Sequence, residues 1–122
     1  TAEISGEVVK VDMNTGKVLK TGSTGDSKSK PKDVLLNKDE SRIYVAGGRA
    51  NKIIVMDANT LEIIKGIPVG KRVWGLAMSK DGNRLFTTDG VSSTVSVIDT
   101  NKNNVIKTID VGEFPWGVII HD

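Results

Sequence analysis

Short runs of apolar residues recur along this chain, each alternating with polar positions and each closed by a turn signal. The clearest is Thr94–Asp99, where Val95 and Val97 fall on one face and Thr94 and Ser96 on the other. Trp74–Ser79 and Arg84–Thr88 precede it, and Val105–Val111 follows with Val105, Ile109 and Val111 on one side. Between these runs lie Lys80-Asp81-Gly82-Asn83, Asp89-Gly90 and Asp99-Thr100-Asn101-Lys102-Asn103, residues that readily form tight turns. Gly112 and Pro115 punctuate the end. The pattern predicts four short antiparallel strands in this stretch.

The same pattern occurs earlier. Shifted by 42 residues, Asn37–Ser79 falls on Ser79–His121 without a gap. Asp39 meets Asp81, Arg42 meets Arg84, Gly48 meets Gly90, Asp57 meets Asp99, Ile64-Lys65 meets Ile106-Lys107, and Trp74-Gly75 meets Trp116-Gly117. A partial third copy, Val11–Thr15, matches the region of Met56–Thr60 at a spacing of 45. The extra residues fall in Thr21–Lys32, rich in Ser, Gly and Lys, as expected of a surface loop. Lys52–Lys65 taken alone could pass for an amphipathic helix. Its counterpart Thr94–Lys107 is β-branched and Asn-rich, so both copies read as strand, turn, strand. Four strands per repeat of about 42 residues predict an all-β propeller with antiparallel four-stranded blades. No amphipathic helices lie between strands as a parallel α/β fold requires.

The expected organisation is a single propeller segment: the last two strands of a partial blade over 1–21, a polar loop over 22–32, full blades over 33–70 and 73–112, and the first strand of a further or closing blade over 115–122. About 2.9 repeats fit in 122 residues, whereas propellers close with about four to eight blades. The chain is therefore expected to be part of a larger ring, completed by further blades of the same protein or, alternatively, by copies of itself.

Composition narrows the function classes. The formal charge is +2, from 17 basic and 15 acidic residues, which gives no electrostatic footprint for nucleic acid. Lys28, Lys30 and Lys32 cluster, but Asp26 and Asp33 flank them, and the segment reads as a solvated loop. Cys is absent, which removes disulfides, thiolate nucleophiles and Cys-based zinc sites. No apolar run is long enough to span a bilayer, and Thr1–Ser5 has no signal-peptide character.

Val73–Phe86 resembles the first two strands of the YVTN-type β-propeller repeat, Ser93–Thr100 its third, and Val105–Gly112 its fourth. Val111–Ile120 resembles the C-terminal blades of propellers associated with pyrroloquinoline-quinone-dependent oxidation systems. The resemblance implies an exported protein, periplasmic or extracellular. The leading expectation is a non-catalytic scaffold or interaction module, and the resemblance implies association with a quinoprotein dehydrogenase system. Two other readings stay open: a propeller subunit of an oxidoreductase or lactonase-like enzyme, and a surface-layer-like structural protein. No cofactor is predicted; the partners expected are another protein or the remaining blades.

The repeat also sorts candidate residues. A residue found in every blade serves a turn or packing contact that every blade needs, which assigns Asp12, Asp57, Asp99, Asp39 and Asp81 to turns. Residues that break the repeat are the candidates. In YVTN-like blades the first strand is innermost and starts at the channel mouth. There Lys32, Trp74 and Trp116 are equivalent, so one blade presents an ammonium where two present indoles. Lys71 and Arg72 differ from their counterparts in the preceding loop, and Arg49 from Val91. Together they suit a flat or anionic ligand held by stacking and charge. The competing role for the tryptophans is packing between blades. His121, the sole histidine, has neither metal-ligating neighbours nor a nucleophile, and no metal site is expected.

Overall fold

A computed structural model describes all residues, 1–122. It contains ten strands: β1 (Glu7–Val11), β2 (Val18–Ser23), β3 (Val34–Leu36), β4 (Arg42–Ala46), β5 (Lys52–Asp57), β6 (Ile63–Pro68), β7 (Val73–Met78), β8 (Arg84–Asp89), β9 (Thr94–Asp99) and β10 (Asn104–Asp110). They form a two-stranded sheet β1-β2 and two four-stranded antiparallel meanders, β3-β4-β5-β6 and β7-β8-β9-β10. Lys52–Lys65 is strand, turn, strand. No helix is long and apolar enough to cross a membrane.

The middle blade is covered on both faces, and its sequence shows why. Along β4 and β5 the runs Ile43-Tyr44-Val45-Ala46 and Ile53-Ile54-Val55-Met56 have no polar position, because each successive side chain enters a different core. Ile43, Val45, Ile54 and Met56 join Val8 and Leu61 against the partial blade. Tyr44, Ala46, Ile53 and Val55 join Val73, Leu76, Leu85 and Ile98 against the last blade. The hydrophobic core therefore lies between blades rather than within them.

The outermost strands carry a feature the repeat concealed. The register slips at Leu19, Ile64 and Ile106, so each blade has a β-bulge at the same place. The slip turns three large apolar side chains toward solvent, 58%, 51% and 47% exposed. A bulge raises local twist, and the exposed Lys20, Lys65 and Lys107 beside it discourage pairing with another edge.

Two boundaries differ from the expected organisation. β2 runs on to Ser23, into the segment assigned to the polar loop. Residues 115–122, expected as a first strand, form no ladder. The segment instead lies alongside β7: the Trp116 carbonyl and Gly117 crowd Gly75, and the Lys80 N–H donates to Asp122 Oδ2 at 2.9 Å.

The repeated aspartates act as turn formers, through the same hydrogen bonds in each blade. Asp12 Oδ1 accepts from the N–H groups of Asn14 and Thr15, Asp57 Oδ1 from those of Asn59 and Thr60, and Asp99 Oδ1 from those of Asn101 and Lys102. These bonds hold all three carboxyls below the ordinary value. Asp81 is pulled down to about 2, chiefly by the Ser79 hydroxyl and then by Asn83.

Two outcomes follow. Leu85, fully buried where two blades meet, contributes to stability through that packing, so Leu85→Ala costs about 2–5 kcal/mol in denaturant unfolding. The aspartates have folded-state values below their unfolded ones, so their contribution is complete above about pH 4. It is lost as pH falls toward about 2, where Asp81 titrates. The urea midpoint is expected to fall across that window. The fall is expected to survive added salt, because hydrogen bonds rather than ion pairs cause the main shifts.

Candidate functional site

The inner strand of each blade begins where the chain passes from one blade to the next, and Lys32, Lys71, Arg72, Trp74 and Trp116 lie along these passages, whereas Arg49 lies between β4 and β5. Each passage includes a residue in the left-handed region: Lys30 (φ 56°), Arg72 (φ 59°) and Phe114 (φ 52°). The next residue but one is Lys32, Trp74 or Trp116.

The two indoles stack, with ring centroids 4.2 Å apart and planes 18° from parallel. Trp74 is half-buried because its other face rests on Gly90, where a Cβ would collide with the ring. Gly90 has an ordinary negative φ, so glycine is needed here for the close approach and not for the backbone conformation. Trp116 remains 66% exposed. Its position is fixed through its backbone: the Thr88 hydroxyl donates to the Trp116 carbonyl at 3.1 Å and accepts from the Gly75 N–H at 2.8 Å. The stack and Lys32 line a cleft of about 300 Å³ together with Asp33 and Leu76.

The candidates do not form one set. Lys32, Trp74 and Trp116 share this cleft, but the Lys32 ammonium pairs with Glu3 Oε1 at 2.7 Å. That pair, more than the nearby Lys30 and Arg49, keeps the Glu3 carboxyl below its usual range. Arg49 lies in a different cleft with Lys28 and Lys30. Lys71 and Arg72 line neither, and their backbone N–H groups are held by Ser92 Oγ at 2.8 Å and Asn51 Oδ1 at 2.9 Å.

Two carboxylates near the mouth escaped the sequence reading. Asp33 Oδ2 accepts the Leu76 N–H at 3.0 Å, linking one inner strand to the next. Asp89 is completely buried and accepts hydroxyl donors from Thr87 at 2.7 Å, Thr94 at 3.1 Å and Ser96 at 2.6 Å. Both break the repeat, since Gly75 and Gly117 are equivalent to Asp33 and Gly47 to Asp89.

A protein-family comparison matches residues 2–122 to the family described as YNCE-like beta-propeller. The chain belongs to that family. YNCE-like propeller architecture agrees with the YVTN-type repeat read from the sequence. Among solved structures, hydrazine synthase of Kuenenia stuttgartiensis is 27% identical with a TM-score of 0.70, over 74% of this chain and 26% of that one. Virginiamycin B lyase of Staphylococcus aureus is 12% identical with a TM-score of 0.79, over 94% and 39%. Apo AztD of Citrobacter koseri is 15% identical with a TM-score of 0.74, over 94% and 32%. This YNCE-like chain thus spans about a quarter to two fifths of those chains. A search of curated proteins found no match.

Since Gly90 is the floor under Trp74, Gly90→Ala is expected to push the ring off its seat and break the indole stack. The exciton signature of the Trp pair in circular dichroism reads this directly: it should collapse in Gly90→Ala, as in Trp116→Phe, and unfolding should be easier by about 1–3 kcal/mol. An unchanged signature in Gly90→Ala would contradict the stated packing.

Proposed function

We propose that the chain is a segment of an exported, non-catalytic propeller, a scaffold or interaction module that takes a planar aromatic group at its channel mouth. The observation carrying this reading is the Trp74–Trp116 stack, whose outer indole leaves a large face open beside Lys32. An exposed indole face adds stacking and cation–π capacity, and aromatic pairs favour offset parallel contacts at this separation. Lys32, paired with Glu3, borders the cleft on one side. A planar quinone has the right shape to lie on the open indole, and it is the ligand class suggested by the resemblance to quinoprotein-associated propellers. In this reading, further blades of the same protein complete the ring and bring their own residues to the mouth.

A second reading, an enzyme subunit with its site at the mouth, is favoured by one comparison: the 27% identical structure is that of a hydrazine synthase.

Titrating the intact protein with a planar aromatic quinone, followed by quenching of indole fluorescence, separates the two. The binding reading expects saturable quenching, weakened roughly tenfold in Trp116→Ala, with the probe recovered unchanged. Chemical conversion of the probe would favour the enzyme. Quenching no stronger than for free tryptophan would overturn the binding site.

A further inference from the structure

The segment that lengthens the first repeat spacing, Thr21–Lys32, is built rather than loose. Thr24 and Ser29 are buried, 1% and 0% exposed, with their hydroxyls 2.7 Å apart. The Thr24 hydroxyl also lies 2.7 Å from the Gly6 carbonyl. The Ser29 N–H donates to the Asp26 carbonyl at 2.9 Å, and the Ser29 carbonyl accepts the Arg49 N–H at 2.7 Å. Burying Ser29 leaves its neighbours Lys28 and Lys30 at the surface side of the loop, with Lys30 in the left-handed region. Both then border, with Arg49, Ser27, Asp26 and Ile4, a cleft of about 570 Å³. That cleft shares no lining residue with the tryptophan cleft.

Its charge is uncompensated. The Lys30 ammonium reaches only the Ile4 carbonyl, at 3.4 Å, and none of the three cations forms an ion pair. The single carboxylate, Asp26, is engaged by the Lys28 N–H at 2.8 Å. Three cations against one carboxylate leave an excess of two positive charges. The neighbouring cation, Lys32, is neutralised by Glu3.

We propose that this cleft is an oxyanion site, taking a phosphate- or sulfate-type group, free or as a monoester. A phosphate monoester carries about −1.5 to −2 charges at neutral pH, which matches the excess. The Arg49 guanidinium offers a planar fork suited to two oxygens at once, and the two ammonium groups act as point charges beside it. The loop is already held in place by the Thr24–Ser29 pair, so little ordering accompanies binding.

Calorimetry on the intact protein at low ionic strength, with inorganic phosphate and with glycerol 3-phosphate as probes, tests this. Saturable one-to-one binding is expected, weakened about tenfold by Arg49→Gln or Lys30→Gln and weakened by salt. Lys71→Gln removes a cation outside the cleft and should leave binding unchanged. Ser29→Ala should weaken binding without changing charge; if that variant misfolds, Lys28→Gln with Lys30→Gln carries the test. Phosphate binding as tightly as glycerol 3-phosphate means a site for the free anion, and tighter binding of the ester means a site for a phosphorylated molecule. Absence of saturable binding, or equal weakening by Lys71→Gln, overturns the proposal.

Discussion

Contact between the faces of successive blades is the constraint on which the rest of this structure depends. A twisted four-stranded sheet of some 40 residues cannot bury both its faces alone, and isolated small sheets are marginal in water. Here the middle blade has a partner on each side, and its two central strands are apolar between their charged ends. The blade that follows is less apolar because its inward face is divided. Leu85 and Ile98 join the core, while Thr87, Thr94 and Ser96 surround the buried Asp89. A buried carboxylate is tolerable only with such donors about it. Gly70 of the preceding blade leaves room for that group, since a Cβ there would strike the Asp89 side chain.

The same blade-to-blade contact shapes the channel mouth. Inner strands of adjacent blades lie side by side, so a residue repeated at a strand start meets its own copy, and that is how Trp74 comes to stack on Trp116. Where the repeat substitutes Lys32, the stack gives way to an ion pair with Glu3. Repeated residues build the frame, and departures from the repeat set the chemistry of each sector of the mouth. The inserted loop is one more such departure, and it places Lys28 and Lys30 beside Arg49.

The strands, turns and blade architecture were legible because they depend on local pattern, reinforced by a second copy of each pattern. The aspartate turns were legible for the same reason. The recurring bulge was not, since a one-residue slip at Ile64 and Ile106 appears identically in both copies and so leaves no mismatch. Ser96 and Thr94 seemed to mark a polar face, but the neighbouring blade closes over Ser96, and only tertiary structure shows it. Ser29 is a similar case: composition suggested a solvated loop, whereas burial of one small hydroxyl against Thr24 fixes its conformation. Residues 115–122 have strand-like composition without a ladder, because a strand is defined by its partner and not by its own residues.

If blades hold one another in place, the groups that join inner strands should be as secure as those within a sheet. The Leu76 N–H, donated across blades to Asp33, is the one to follow by amide hydrogen exchange. The account predicts that it exchanges as slowly as the amide of Ile98, at the centre of the last blade's sheet. Exchange as fast as that of the exposed Met13 would contradict it, and would mean that the mouth is not fixed by the packing of one blade on the next.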